Sequence, residues 1–227
     1  VKFLRSLLQH ISRAKDEGIS PEAYKAFAET AVLEGDEIEV ASERARLHEL
    51  ADLYAIYRSL MLQEDCLDFG DLILEVIRLF RERPAVLRQY QQQFKSILVD
   101  EFQDTNWAQY ELVKLLAGKE HQLTVVGDDD QAIYKFRGAS LANILQFRTD
   151  FPEAKTVTLV ENYRSKKEIL DIAYSFICHN NPHRLEVSLT ELGLSKKLQA
   201  MKGEGGAVEL FWEGSLIDET ERVVERI

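Results

Sequence analysis

From Phe94 onward the chain alternates short apolar runs with stretches of helical spacing, and this alternation leaves few folds open. Ser96-Ile97-Leu98-Val99-Asp100 and Gln122-Leu123-Thr124-Val125-Val126-Gly127 are apolar runs bounded by polar residues. Such runs read as strands buried in a parallel sheet. Between and after them, residues 106–117, 140–147 and 165–178 read as helices and residues 156–159 as a further strand. Strand and helix in turn imply right-handed crossovers with helices on the sheet faces, so the fold class is α/β.

The first part of the chain is different. Phe3, Leu4, Leu7, Leu8 and Ile11, and later Leu47, Leu50, Leu53, Tyr54 and Tyr57, recur at intervals of three and four, which is helical spacing. Ser20-Pro21-Glu22 places a cap residue before a proline and marks a helix start after Gly18. Glu34-Gly35-Asp36-Glu37 reads as a solvated acidic loop, followed by a helix from Glu43 to Gln63 and another from Asp68 to Arg83 that ends before Pro84. Beyond Asn181-Pro182, Lys202-Gly203-Glu204-Gly205-Gly206 reads as a linker, residues 208–212 as a strand and residues 218–227 as a helix.

Composition excludes several classes. With 45% hydrophobic and 30% charged residues and only 4 prolines in 227 residues, the chain is globular rather than disordered or fibrous. A net charge of −11, from 28 Lys+Arg against 39 Asp+Glu, rules out coating nucleic acid through bulk positive charge but leaves room for a local basic groove. Cys66 and Cys178 have no metal-site spacing and read as reduced thiols of a cytoplasmic protein. No apolar stretch approaches the roughly 18 residues that span a bilayer, so no membrane association is expected. The chain opens on Val1 inside a helical pattern, and we expect it to be an internal piece of a longer protein.

In an α/β sheet the ligand sits at the carboxyl ends of the strands. The first strand delivers Asp100-Glu101-Phe102-Gln103-Asp104 there, and the second delivers Gly127-Asp128-Asp129-Asp130-Gln131. Two neighbouring strand ends loaded with acid repel unless a cation lies between them. One carboxylate holding Mg²⁺ beside another that activates water is what nucleoside triphosphate hydrolysis requires. A plainer reading stands beside it, in which Asp104 or Thr105 merely caps the helix that follows.

The longer strings narrow the choice. Leu98-Val99-Asp100-Glu101-Phe102-Gln103-Asp104-Thr105-Asn106, then Val126-Gly127-Asp128-Asp129-Asp130-Gln131-Ala132-Ile133-Tyr134-Lys135-Phe136-Arg137-Gly138-Ala139, then Glu161-Asn162-Tyr163-Arg164-Ser165 closely resemble the UvrD/Rep family of superfamily 1 DNA helicases. Leu67-Asp68-Phe69-Gly70-Asp71-Leu72-Ile73 and the region around Lys15-Asp16-Glu17-Gly18 resemble further elements of that family. The resemblance covers nearly the whole chain and is weakest from Leu185 onward.

The resemblance implies a RecA-like P-loop NTPase sheet flanked by helices. Residues 1–66 would be an all-helical subdomain inserted in the first RecA-like domain, residues 67–160 the second part of that domain, and residues 161–227 the start of a second RecA-like domain. It implies ATP and Mg²⁺ as cofactors, single-stranded DNA and its junctions with duplex as partners, and 3′ to 5′ translocation with unwinding. Asp100 matches the aspartate that holds Mg²⁺, Glu101 the base that activates the attacking water, and Gln131 the glutamine that senses the γ-phosphate. Tyr163 matches a tyrosine that stacks on adenine, and Arg164 an arginine finger, whose forked, fixed charge suits a phosphoryl group. Tyr134 and Phe136, two apart and so on one side of an extended segment, match aromatics that stack on bases, each with core packing as the alternative. Phe136 stands where the family often has Trp. Arg137 matches an arginine for which a DNA contact and a structural role are equally compatible.

One element is missing from the sequence. No Gly-x-x-x-x-Gly-Lys-Ser/Thr occurs, and the one Gly-Lys pair, Gly118-Lys119, is followed by Glu120. Without that phosphate cradle, these 227 residues alone are not expected to turn over ATP. Two other readings fit the same residues: a subunit of a RecB/AddA-type helicase-nuclease, and a truncated, non-catalytic DNA-binding or interaction module.

Overall fold

The structure is a computed structural model and describes residues 2–118, 122–132, 142–190, 193 and 195–226. Its contacts divide the chain into two compact units, Val1–Ala154 and Lys155–Ile227.

The first unit begins with helices α1 (Lys2–Asp16), α2 (Pro21–Thr30) and α3 (Glu37–Gln63). Ser20 caps α2 by accepting the Ala23 amide, with Pro21 at the first helical position as its sequence implies. The acidic stretch is not a loop throughout. Asp36 accepts the amides of Ile38 and Glu39, both at 2.9 Å, and Glu39 reaches back to the Asp36 amide, so α3 starts six residues before the predicted Glu43. Acidic groups favour this position because they satisfy the unpaired first-turn amides and oppose the positive end of the helix dipole. The three helices close on Ile11, Ala14, Tyr24, Ala28, Ala31, Leu47, Ala51 and Tyr54. Tyr54, inside this cluster, satisfies its hydroxyl on the Ile19 carbonyl at 2.9 Å.

Helices α4 (Phe69–Glu82) and α5 (Pro84–Gln93) follow. Pro84 ends one helix and, by supplying a preset φ where no amide is needed, starts the next; α5 carries no prediction from the sequence. A charged cluster joins α1, α3 and α4. The Lys15 ammonium, 1% exposed, sits 2.6 Å from Asp68 and 2.8 Å from Asp71, while Arg58 pairs with Asp71 and with Glu75. Tyr57 donates its hydroxyl to Asp68 at 2.9 Å. Burial works to raise the Asp68 carboxyl, but Lys15, the Asp71 amide and Tyr57 outweigh it and hold it below the ordinary carboxylate value. The Tyr57 phenol is pushed up to about 12, by burial first and then by its bond to Asp68.

Strands β1 (Ser96–Val99) and β2 (Gln122–Val125) pair in parallel with Ser96 opposite Gln122 and Val99 opposite Val125, and α6 (Trp107–Ala117) lies between them in the chain. Asn106 caps α6 through a reciprocal bond with Gln109, so neither Asp104 nor Thr105 fills that position. Both strands are shorter than predicted and only half buried. Leu98 is 77% exposed, whereas Ile97 and Val99 are partly covered, so packing among the described residues covers one face of each strand. Helix α7 (Ala142–Asp150) completes the unit.

The second unit holds β3 (Glu161–Asn162), α8 (Lys167–Ile177), α9 (Leu185–Thr190), β4 (Gln199–Ala200) and α10 (Leu216–Arg226). β3 and β4 pair in parallel, Glu161 opposite Gln199. The strands predicted at residues 156–159 and 208–212 do not form: those residues lie outside any ladder, with Leu159 80% and Leu210 99% exposed. An apolar run becomes a strand only where a neighbour supplies ladder partners, and the ladder of this unit forms instead at residues 161–162 and 199–200. Cys66 and Cys178 are free thiols. No helix among the described residues is long and apolar enough to cross a membrane.

Candidate active site

Parallel pairing brings the ends of β1 and β2 to the same edge, and both acidic loops start there. The β1 loop turns sharply. Glu101 has φ +49 and ψ +41 and precedes a single 3-10 turn over Phe102–Asp104. A non-glycine residue in this left-handed region costs roughly 1 kcal/mol and persists only where its surroundings hold it. Here the Glu101 amide donates to Asp100 Oδ1 at 2.9 Å, and the Phe102 amide donates to the Val126 carbonyl at 2.9 Å.

Gln103 ties the two loops together. It is 1% exposed, so each polar atom needs a partner. Its Nε2 donates to Glu101 Oε2 at 2.6 Å, and its Oε1 accepts the Asp128 amide at 2.9 Å. Asp128 Oδ2 in turn accepts Gln131 Nε2 at 2.8 Å. A hydrogen-bonded chain therefore runs from Gln131 through Asp128 and Gln103 to Glu101. Gly127 leaves it room: a Cβ there would stand 2.9 Å from Gln103 Oε1 and 3.3 Å from its backbone nitrogen.

Asp100 and Glu101 are exposed at the end of β1, and Asp128, Asp129 and Asp130 bring carboxylate oxygens within 4.8 Å of one another. Among the described residues the carboxylates that converge are Asp128, Asp129 and Asp130, a group that does not include Asp100 or Glu101; their oxygen donors suit a hard divalent cation such as Mg²⁺ rather than a soft metal. Of the residues singled out from sequence, Asp100, Glu101 and Gln131 are brought to this one edge. Tyr134, Phe136 and Arg137 lie outside the described residues.

Tyr163 and Arg164 belong to the second unit, on the loop between β3 and α8. Asn162 shapes that loop, its Oδ1 accepting the amides of Arg164 at 3.0 Å and Ser165 at 2.8 Å. Tyr163 is 65% exposed and donates its hydroxyl to Glu161, which raises its phenol above the ordinary value. Arg164 is exposed. Thus a flat ring and a guanidinium are both presented to solvent from a loop braced by one side chain.

Gln103 and Asn162 carry no role in the sequence reading, although both lie inside its motif strings. The available signal for Gln103 was Gly127, a glycine at the end of a strand, which marks close approach by another group. For Asn162 it was an Asx-type residue two positions before the loop it braces.

The family model described as the UvrD/REP helicase N-terminal domain matches residues 2–152. An ATP-dependent DNA helicase PcrA from Leuconostoc citreum is 39% identical over 223 residues, 98% of this chain and 27% of the relative. The protein of the same name from Bacillus subtilis (strain 168) is 40% identical over 213 residues, 94% of this chain and 26% of its own length. A DNA helicase II from Haemophilus influenzae is 37% identical over 218 residues, 96% and 26% respectively. The chain thus spans about a quarter of the length of these curated relatives.

Proposed function

The chain belongs to the UvrD/REP helicase family, and from that premise we propose that it supplies part of the ATP-hydrolysing motor of a DNA helicase that moves 3′ to 5′ along single-stranded DNA and unwinds duplex. In this reading residues 1–66 are a helical insertion, residues 67–160 part of a first RecA-like domain and residues 161–227 the start of a second. ATP is the substrate of the motor and single-stranded DNA its track.

The observation that carries the reading is the hydrogen-bonded chain from Gln131 to Glu101. Hydrolysis needs a carboxylate aimed at water and a neutral group able to report the γ-phosphate. Gln103 donates to one Glu101 oxygen and so orients the carboxylate for proton abstraction by the other. Gln131, at the far end, has a carbonyl oxygen and a second amide proton for a water or a phosphate oxygen. Asp100 would hold Mg²⁺, which when bound neutralises charge on the phosphate oxygens. Tyr163 offers a face to adenine, and Arg164 a fixed positive charge to the phosphoryl group. Tyr134, Phe136 and Arg137 are assigned to the DNA strand, the aromatics by stacking on bases of any sequence.

The test uses the protein at its natural full length. ATP turnover should depend on single-stranded DNA, and a duplex with a 3′ tail should be unwound in preference to one with a 5′ tail. Glu101→Gln keeps the shape of the site without the base and should lower turnover by about 10² to 10⁴ while nucleotide binding survives. Near-normal turnover in that variant overturns the assignment.

A further inference from the structure

Asn143 lies on α7, 4% exposed, and its side chain bonds outside its own helix. Its Nδ2 donates to the Thr105 carbonyl at 2.9 Å and to Thr105 Oγ1 at 3.3 Å. Thr105 Oγ1 donates in turn to the Phe102 carbonyl at 2.7 Å. A hydroxyl has one proton, so with that proton on Phe102 it meets Asn143 as an acceptor. The relay is directional, from Asn143 through Thr105 to the residue after Glu101.

Apolar contacts follow the same route. Phe147, one turn along α7, meets the Phe102 ring edge-on with centroids 5.7 Å apart. Tyr110 also meets Phe102 edge-on, and its hydroxyl donates to Asp150 at the end of α7 at 2.8 Å. Hydrogen bonds and rings therefore hold α7 to the loop that carries Glu101 at its first, middle and last turns. A leucine at position 143 would fill the space without the cost of burying an amide. What the carboxamide adds is a fixed orientation between α7 and the loop.

Gln131 is tied to this same loop through Asp128 and Gln103. In sequence, Gln131 and Asn143 flank Tyr134, Phe136 and Arg137. We infer that Asn143 is a positioning residue that couples DNA binding to hydrolysis: through Thr105 it holds the Glu101 loop to α7, so that strain from a bound strand reaches Glu101 from α7 as well as from Gln131. This inference rests on the proposed helicase function.

The test compares ATP turnover with and without saturating oligo-dT for the full-length protein, Asn143→Leu and Thr105→Val. Leu keeps the volume without donors, and Val removes only the hydroxyl. Turnover without DNA and oligo-dT affinity should stay within about two-fold, while the stimulation by DNA falls by about ten-fold in Asn143→Leu and by a smaller factor in Thr105→Val. A merely structural amide would instead lower basal and stimulated turnover in parallel, and that result overturns the inference. An unchanged stimulation factor in whichever variant folds overturns it too, as does failure of both to fold, which would make the relay a core element only. Absence of stimulation in the unsubstituted protein overturns the helicase reading itself, and the inference with it.

Discussion

Gln103 donates its side-chain amide to the Glu101 carboxylate at 2.6 Å while fully enclosed between the two acidic loops. Replacing it by Leu keeps the bulk and removes both bonds. In the full-length protein Gln103→Leu should lower kcat by about 10², the usual cost of a catalytic group displaced by an ångström, with little change in KM for ATP. Steady-state kinetics at saturating DNA reads this, and an unchanged kcat would show that Glu101 is aimed without help.

Lys15 faces both Asp68 and Asp71 with 1% of its side chain exposed. Lys15→Ala leaves Asp68 without its cation and Asp71 with Arg58 alone, and breaking a largely buried pair in this way costs about 3 kcal/mol, the low end for such a loss because Arg58 stays in place. Urea unfolding of the 227-residue chain measures the loss. A cost below about 1 kcal/mol, the level of a surface pair, would mean that water replaces the ammonium.

Glu168 accepts the amides of Gly205 at 2.8 Å and Gly206 at 2.7 Å, and these two N–H groups hold its carboxyl down to about 2 from 4.5. A depressed acid stabilises the fold fully above its ordinary value and loses that contribution as pH falls through the folded one. The second unit should therefore lose amide protection at Gly205 and Gly206 between pH 4.5 and about 2. Hydrogen exchange across that window tests it; equal protection at both ends would show that the carboxylate is not the anchor.

Phe136 is assigned to base stacking on the family resemblance. Phe136→Ala in the full-length protein should weaken oligonucleotide binding by about 1 to 3 kcal/mol, the range for one lost stack. Fluorescence anisotropy with a labelled strand gives the affinity, and no change in a folded variant would return Phe136 to a packing role.

Local chemistry was legible in the chain by itself. The alternation after Phe94, the Ser20-Pro21 start and the two acid-bearing strand ends each depend on residues within a few positions of one another, where periodicity, capping and turn preferences act. The same locality misplaced some elements. By pattern alone the acidic stretch around Asp36 reads as a loop although it caps a helix, and residues 156–159 and 208–212 read as strands, because an apolar pattern carries no information on whether a ladder partner stands alongside. What the tertiary structure decided is the wiring between distant positions. Lys15 meets Asp68 across 53 residues, Asn106 meets Asp16 across 90, Asn143 meets Thr105 across 38 and Gln103 meets Asp128 across 25. The motif strings contained every one of these residues except Asn143, yet their pairing arises only when helices and strands pack and each buried polar group must find whichever partner the fold brings within about 3 Å.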